Sequence, residues 1–435
     1  MNWKTLVGGA AVSVMAAAIV QPAEAQVTTS SVRGVVTDAN GAPVSGASVS
    51  ILHTPSGSTD TATTDSNGVF TERGLRVGGP YTVSITADGV TERVENVFLT
   101  VNETFPLRVT LGASRTLDTI VVTGTAADSL LSLGPTSSFD EQAIAGLPTI
   151  SRDIRDIARL DPLVSVDPTN GGAISIAGTN NRFNSLTIDG IKFNDLFGLN
   201  ANGFPSQRSP ISIDALDQLS VEVAPYDVEF SGFTGGTINI VTKSGQNDLF
   251  GSAYYFYTDD GLAGDETRDI EVNQQFEEKT WGVTLGGPII KDKLFFFVAY
   301  EDFEEEQLLD ADDLPGAESG ISQATYDELR SISQNVYGFD PLSFGGLDPV
   351  EDQKLLATID WDINPDHRAK FTFIQNEGNE IQPRNNGADL GSPSTWYDRS
   401  EETNAYAVQL FSDWTDRFST EFKLALSEQI TGQVP

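Results

Sequence analysis

Few side chains in this 435-residue chain are placed to break or form bonds. Its two histidines, His53 and His367, stand far apart without ligand partners at metal spacing, and there is no cysteine. Disulfides and thiolate metal sites are therefore excluded, and zinc chemistry or a histidine triad lacks its parts. No G-x-S-x-G, G-x-x-x-x-G-K-S/T or H-E-x-x-H sequence occurs. Two D-x-N-G sequences, Asp38–Gly41 and Asp65–Gly68, carry carboxylates, yet each offers too few oxygens for calcium, which takes about six to eight. Asn-Gly supplies the positive φ angles of tight hairpins, so both read as turns. No catalytic, metal or cofactor site is expected, and the chain reads as a non-enzyme.

Backbone hydrogen bonding is the chemistry of another stretch, "DTIVVTG", Asp118 to Gly124. Its residues Thr119, Ile120, Val121, Val122 and Thr123 are β-branched and favour an extended chain. The flanks "LGASRTL" and "TAADSLLSLGP" read as linker with no local partner strand. Such a segment is either an unpaired strand awaiting a sheet edge or an ordinary strand of a neighbouring unit.

The formal charge of −36 argues against a nucleic-acid partner, whose phosphates require lysine and arginine. Acidic runs at Glu301–Glu306 ("EDFEEE") and Asp310–Asp313 ("DADD") are expected in exposed, solvated loops.

Residues 1–25 read as an export signal. Lys4 gives a thin positive start, an apolar run follows from Leu6 to Val20, and Ala23-Glu24-Ala25 fits a small-x-small cleavage site between Ala25 and Gln26. The apolar run falls short of the roughly 20 residues that a membrane-spanning helix needs. No helix-length apolar run follows it, which leaves an outer-membrane β-barrel open, because alternating strands barely register on hydropathy.

Behind the signal the chain divides into four parts. Residues 26–112 carry short β-branched runs with evenly spaced turns, the pattern of a small β-sandwich of about seven strands. Residues 113–124 are the linker. Residues 125–247 mix a helical stretch, Asp140–Pro162, broken at Pro148, with short strands; Asp140 and Ser151 are the expected N-caps.

Residues 248–435 alternate with period two, and about seven strands are expected there. Leu355, Ala357, Ile359, Trp361 and Ile363 share one face, with Thr358, Asp360 and Asp362 on the other. The same rhythm sets Phe371 and Phe373 against Lys370 and Thr372, Tyr406, Val408, Leu410 and Trp414 against Gln409 and Asp413, and Phe422 and Leu424 against Glu421 and Lys423. Tight turns at 288–293, 364–367 and 415–417 alternate with long polar connections at 258–279, 303–351 and 377–402. Short turns at one end and long loops at the other mark transmembrane β-barrels, although a jelly roll also fits. Aromatic residues near strand ends, at 254–257, 295–297, Trp361 and Trp414, read as interfacial girdles.

Several stretches carry a resemblance. "V-x-G-x-V-x-D-x-x-G-x-P-V-x-G-A-x-V" followed by "T-D-x-N-G-x-F" resembles the carboxypeptidase regulatory-like domain, a transthyretin-like sandwich that is not itself catalytic. "LDTIVVTG" resembles the TonB box of TonB-dependent outer-membrane receptors. "SIAGTNNRFNSLTIDGIKFND" and "LSVEVAPYDVEFSGFTGGTINIVTKSG" are similar to that family's plug, and "GGPIIKDKLFFFVAYE" to the first barrel hairpin of its Oar-like subgroup. The resemblance implies a mainly β chain: signal peptide, transthyretin-like sandwich, α+β plug and the first strands of an antiparallel barrel.

It also implies that Asp118, Thr119, Ile120, Val121, Val122 and Thr123 add as a strand to TonB, itself coupled to an inner-membrane energising complex. The plug positions it points to are Asn184, Asp189, Gly190, Gly235, Gly236, Asn239 and Lys243. Ala177 before Gly178 and Ala224-Pro225-Tyr226 depart from arginine-bearing plug motifs, so an arginine lock or an anionic-chelate site is not evident. The expected partners are TonB, outer-membrane lipid and an unidentified ligand, with no nucleic acid and no cofactor. The expected function is receptor and importer; the alternative is a surface adhesion or binding protein without transport. Seven strands cannot close around a plug, so the chain is expected to be the N-terminal part of a longer receptor.

Overall fold

The structure, a computed structural model, describes residues 27–112, 135–149, 151–225, 233–264, 266–267, 270–271, 276–308, 315, 321–344, 347–383, 391–415 and 418–434. The signal segment with Ala25 and Gln26, the linker with Asp118–Thr123, and the acidic run 310–313 lie outside the described residues.

Seven strands build the first unit: β1 Ser30–Thr37, β2 Ser48–His53, β3 Thr59–Thr63, β4 Val69–Leu75, β5 Gly78–Ala87, β6 Val90–Leu99 and β7 Thr104–Thr110. They form two sheets, ordered β4-β1-β7 and β3-β2-β5-β6. Val32, Val36, Val49, Ile51, Val83 and Ile85 alternate inward and are fully buried between them. The D-x-N-G turns explain themselves: Asp38 Oδ1 accepts from the amides of Asn40 and Ala42 at 2.9 and 2.8 Å, and Asp65 Oδ1 from those of Asn67 and Val69 at 2.8 and 2.9 Å. Each carboxylate is used to close its own turn. His53 is a core residue, with its Nδ1 2.7 Å from Ser56 Oγ and its ring against Tyr81. Burial, assisted by Arg76 and Arg368, pushes its pKa down to about 3, which keeps it neutral.

The middle unit holds β8 Thr136–Asp140, α1 Glu141–Ala145, α2 Ile154–Ala158, β9 Val164–Asp167, β10 Ala173–Ile176, β11 Ser185–Ile188, β12 Ile191–Lys192, β13 Leu216–Val223 and β14 Gly236–Thr242. Its main sheet is ordered β12-β11-β14-β13-β8, with β11 and β14 parallel. Every residue of β14 is buried, as expected of a strand covered on both faces. The helical stretch breaks around Pro148 as its sequence predicts. Asp140 caps α1 by accepting from the Ala143 amide at 2.8 Å. Ser151 does not cap α2. Asp153 does, accepting from the Arg155 amide at 2.9 Å, while Ser151 Oγ donates to Asp156.

The third unit is one seven-stranded antiparallel sheet in sequence order: β15 Phe250–Asp259, β16 Phe276–Ile290, β17 Leu294–Leu308, β18 Leu347–Asn364, β19 His367–Gln382, β20 Tyr397–Thr415 and β21 Phe418–Val434. A helix, α3 Gln323–Ile332, lies in the connection before β18. The sheet curls around the middle unit without closing, and β15 and β21 are its edges.

Its faces are inverted relative to a soluble protein. Ile359 and Trp361 are 42 and 46% exposed, while the intervening Thr358 and Asp360 are buried. Tyr406, Val408 and Leu410 likewise face outward, and Ala405, Ala407 and Gln409 face the middle unit. An outer face of Ile, Trp, Tyr, Val and Leu, with Thr358, Asp360, Lys370 and Gln409 turned inward among smaller apolar stretches, suits lipid, not water.

Three expectations are corrected. The six strands β16–β21 run 15 to 19 residues, so the predicted loops at 303–351 and 377–402 begin and end as strand. Crossing a bilayer takes only about 9–11 residues, and the ladders continue past it. The acidic run Glu301–Glu306 is therefore strand, not loop, and Glu301 is fully buried. Within "FFF", Phe295 and Phe297 point inward and are buried, so they pack the interior instead of forming a girdle.

Candidate functional site: the seam between the inner unit and the wall

Between β11 and β12 the chain turns through Asp189 (φ 48°) and Gly190 (φ 74°), a two-residue hairpin of the positive-φ type that Asp-Gly favours. The turn drives the Asp189 carboxylate into the wall. It accepts from Lys370 Nζ at 2.9 Å and Thr372 Oγ1 at 2.9 Å, both on β19, and from the Thr242 amide and hydroxyl at 3.0 and 2.7 Å. Gln409 Nε2 on β20 donates to the Asp189 carbonyl at 2.8 Å. Burial alone would raise the carboxyl pKa; Lys370 and the Thr242 donors outweigh it and hold it below the usual range. A buried ion pair with this many hydrogen bonds is a joint between two units. A side chain at Gly190 would meet Lys423 Nζ at 2.5 Å, so the hairpin sits flush against β21.

A second set of ties lies toward the long-loop end. Here the inner unit supplies uncharged groups and the wall supplies ions. Asn200 Nδ2 donates to Glu401 Oε1 at 2.7 Å, Gln207 Nε2 to Glu380 Oε1 at 2.6 Å, Ser206 Oγ to Asp352 Oδ2 at 3.1 Å and Ser212 Oγ to Glu301 Oε2 at 2.8 Å. Lys354 pairs with both Glu301 and Asp352 within the wall, at 2.9 and 3.0 Å. Two arginines of the inner unit do reach the wall, over aromatic faces: Arg208 sits 3.6 Å from the Phe303 ring and Arg152 4.1 Å from that of Tyr254.

The sequence-derived positions separate into groups. Asp189 and Gly190 form the joint. Asn184, Gly235 and Gly236 instead shape the inner unit: Asn184 Nδ2 donates to the Ile174 carbonyl at 2.9 Å and its Oδ1 accepts from the Gly236 amide at 3.2 Å. Asn239 is buried in β14, accepting from Thr187 Oγ1 at 3.0 Å and donating to the Val27 carbonyl of the first unit at 2.8 Å. Lys243 pairs with Glu141 at 2.8 Å. Lys370, Thr372, Gln409, Glu301 and Lys354 had no sequence assignment as site residues. For Lys370, Thr372 and Gln409 the signal is their place on the polar face of apolar strands.

Gly236 gives a direct check of this packing. A Cβ there would lie 2.6 Å from Ile176 Cγ2 and 2.8 Å from the Glu222 carbonyl, which is backbone and cannot turn away. Gly236→Ala is expected to destabilise the inner unit by about 1–3 kcal/mol, seen as a lower midpoint in denaturant unfolding.

Residues 31–112 match the family described as carboxypeptidase regulatory-like domain, and residues 241–327 the outer membrane beta barrel domain. The TonB-dependent transporter Oar of Myxococcus xanthus is 36% identical over 158 residues. Over that stretch the chain is similar to Oar. That alignment takes in 34% of this chain and only 14% of Oar. Among solved structures, the outer membrane transporter YddB of Escherichia coli aligns over 67% of this chain and 38% of its own, at 14% identity and a TM-score of 0.48. The siderophore receptor PirA of Acinetobacter baumannii aligns over 70% of this chain and 41% of its own, at 18% identity and a TM-score of 0.49. The barrel domain and the Oar relationship indicate the outer membrane of a Gram-negative bacterium. Among the described residues no helix is long and apolar enough to cross a membrane, which is silent about strands. These relatives are described as transporters and a receptor.

Proposed function

We propose that this chain is the plug-bearing part of a TonB-driven outer-membrane importer. The inner unit is the plug, the curled sheet is one side of the barrel, and Asp118–Thr123 is the handle that TonB grips. The observation that carries the reading is the inverted wall, apolar outward and polar inward, closed on its inner side by a domain joined to it through Asp189. An open sheet edge in lipid leaves a row of backbone groups unpaired, so a wall of this kind works only as part of a closed barrel. The handle joins the plug covalently, and a strand added to the edge of TonB's sheet gives the grip for pulling. Force then reaches the seam, where the hydrogen bonds and ion pairs at Asp189 and the apolar contacts of wall residues such as Phe297, Leu356 and Ile374 with the plug must part together. The seven plug-motif positions serve the plug's shape and its seam, and TonB, lipid and an unidentified ligand are the partners.

The rival reading, adhesion without transport, has little support in the first unit. Its single tyrosine, Tyr81, is buried and donates to the Arg76 carbonyl at 2.9 Å, so it offers no stacking platform for a sugar. Comparing isogenic cells with and without TonB separates the two readings. The importer accumulates its ligand in the periplasm only with TonB, and the outer-membrane protein resists alkaline extraction in both. Equal uptake or retention in the two strains rules the importer out.

A further inference from the structure

The regulatory-like unit touches both bodies that must part for the plug to move. On the wall side, Arg76 Nη2 pairs with Asp362 at 2.7 Å at the end of β18, and Arg368 Nη2 of β19 donates to the Gly74 carbonyl at 2.8 Å. On the plug side, the Val101 amide donates to Gln218 Oε1 at 2.6 Å, and Val77 and Val101 bury against Val241 of β14.

Its first described residues go deepest. Asn239 of the plug donates to the Val27 carbonyl at 2.8 Å, and Thr28 Oγ1 donates to Gln409 Oε1 at 3.2 Å. Gln409 is the residue whose amide nitrogen holds the Asp189 carbonyl. One glutamine thus ties the N-terminal segment, the wall and the plug hairpin together. The segment continues into β1, which runs parallel to β7 from Ser31 opposite Thr104 to Thr37 opposite Thr110. The handle follows β7 in sequence and precedes the plug. Tension on it therefore loads two arms, the plug on one side and the β7 and β1 pair on the other.

We propose that the regulatory-like unit is a clamp: docked, it pins plug to wall at the short-turn mouth, and a pull on 118–123 undocks it before or with the plug. This inference rests on the importer reading. The clamp gives the loaded handle a mechanical consequence on both sides, and it keeps the seam closed when no force is applied.

This chain has no cysteine of its own, so an introduced pair meets no other thiol within it. The Asn247 amide donates to the Pro55 carbonyl at 2.8 Å, which brings those backbones close, and a Cβ at Gly57 would lie 3.4 Å from Asp292 Cγ in the turn between β16 and β17, which offers a second pair. Pro55→Cys with Asn247→Cys, and separately Gly57→Cys with Asp292→Cys, are placed in the receptor in living cells and oxidised. A third variant, Ala405→Cys, reports plug movement, since Ala405 is a buried wall residue packed against the plug. The clamp predicts efficient disulfides without TonB and a roughly tenfold lower yield with energised TonB, alongside TonB-dependent maleimide labelling at 405. Equal disulfide yields with TonB-dependent labelling at 405 would overturn the clamp and leave the importer standing. Unchanged yields and unchanged labelling would overturn both, and failure of both pairs to form a disulfide in any strain would show that the docking does not occur.

Discussion

Replacing Asp189 by alanine is expected to open the seam between plug and wall about a hundredfold more often. The substitution strands Lys370 on the buried face of β19, with Thr242 Oγ1 at 3.2 Å as its remaining plug contact. Breaking a buried pair from one side costs about 3–5 kcal/mol, because the partner charge is left without compensation. A loss of about 3 kcal/mol is roughly a hundredfold in an opening equilibrium. Labelling of Ala405→Cys reads that equilibrium when combined with Asp189→Ala. Adding Lys370→Met removes the stranded charge and is expected to recover much of the loss, whereas Thr372→Val alone is expected to cost about 1 kcal/mol. The pair is also acid-sensitive in a fixed direction. The carboxyl of Asp189 lies below its usual range in the folded protein, so its contribution is complete above the ordinary carboxylate pKa and fades on acidification below it.

The second large effect belongs to Asp153, inside the plug. Its fully buried carboxylate caps α2, receives both Arg155 Nε at 2.9 Å and Nη2 at 2.8 Å, and accepts from the Ser209 amide at 3.0 Å. Burial would raise its pKa, but Arg155 overrides that and holds it at about 2. Asp153→Ala removes a cap, a bidentate arginine partner and a loop tie together, and about 3–5 kcal/mol of plug stability is expected to go with them. Denaturant unfolding followed by plug proteolysis measures it. Between the ordinary pKa near 4 and the folded value of about 2, the unfolded chain binds more protons than the folded one, so stability falls as pH falls through that window. The alanine variant should lack that slope.

These two carboxylates also show what a sequence reading reaches. Asp189-Gly190 is legible as a tight turn because the dipeptide has one favoured conformation. Thr358, Lys370 and Gln409 are legible as one face of strands because a period of two leaves no other choice. Their meeting is not legible: Asp189 and Lys370 are brought together by how the plug sits in the wall, and no local preference encodes that. The same gap explains the acidic run. Glu301 looks solvated until Lys354 on the neighbouring strand and Ser212 of the plug are placed beside it. Phe295 and Phe297 look interfacial until the strand's phase is fixed. Ser151 looks like a cap because the stronger acceptor, Asp153, stands two residues on. The docking of the regulatory-like unit left no local trace, since Arg76 and Thr28 are ordinary residues on a sandwich surface until Asp362 and Gln409 face them.

The central claim is that the β-branched segment at 118–123 is a handle that couples this plug to TonB. Val122→Pro tests it most directly, because proline removes one backbone donor and weakens the pairing of an added strand in the middle of the handle. The account predicts wild-type amounts of receptor in the outer membrane, an unaltered Ala405→Cys labelling rate without TonB, and loss of both TonB-dependent labelling and TonB-dependent uptake. Uptake that survives the proline would contradict it.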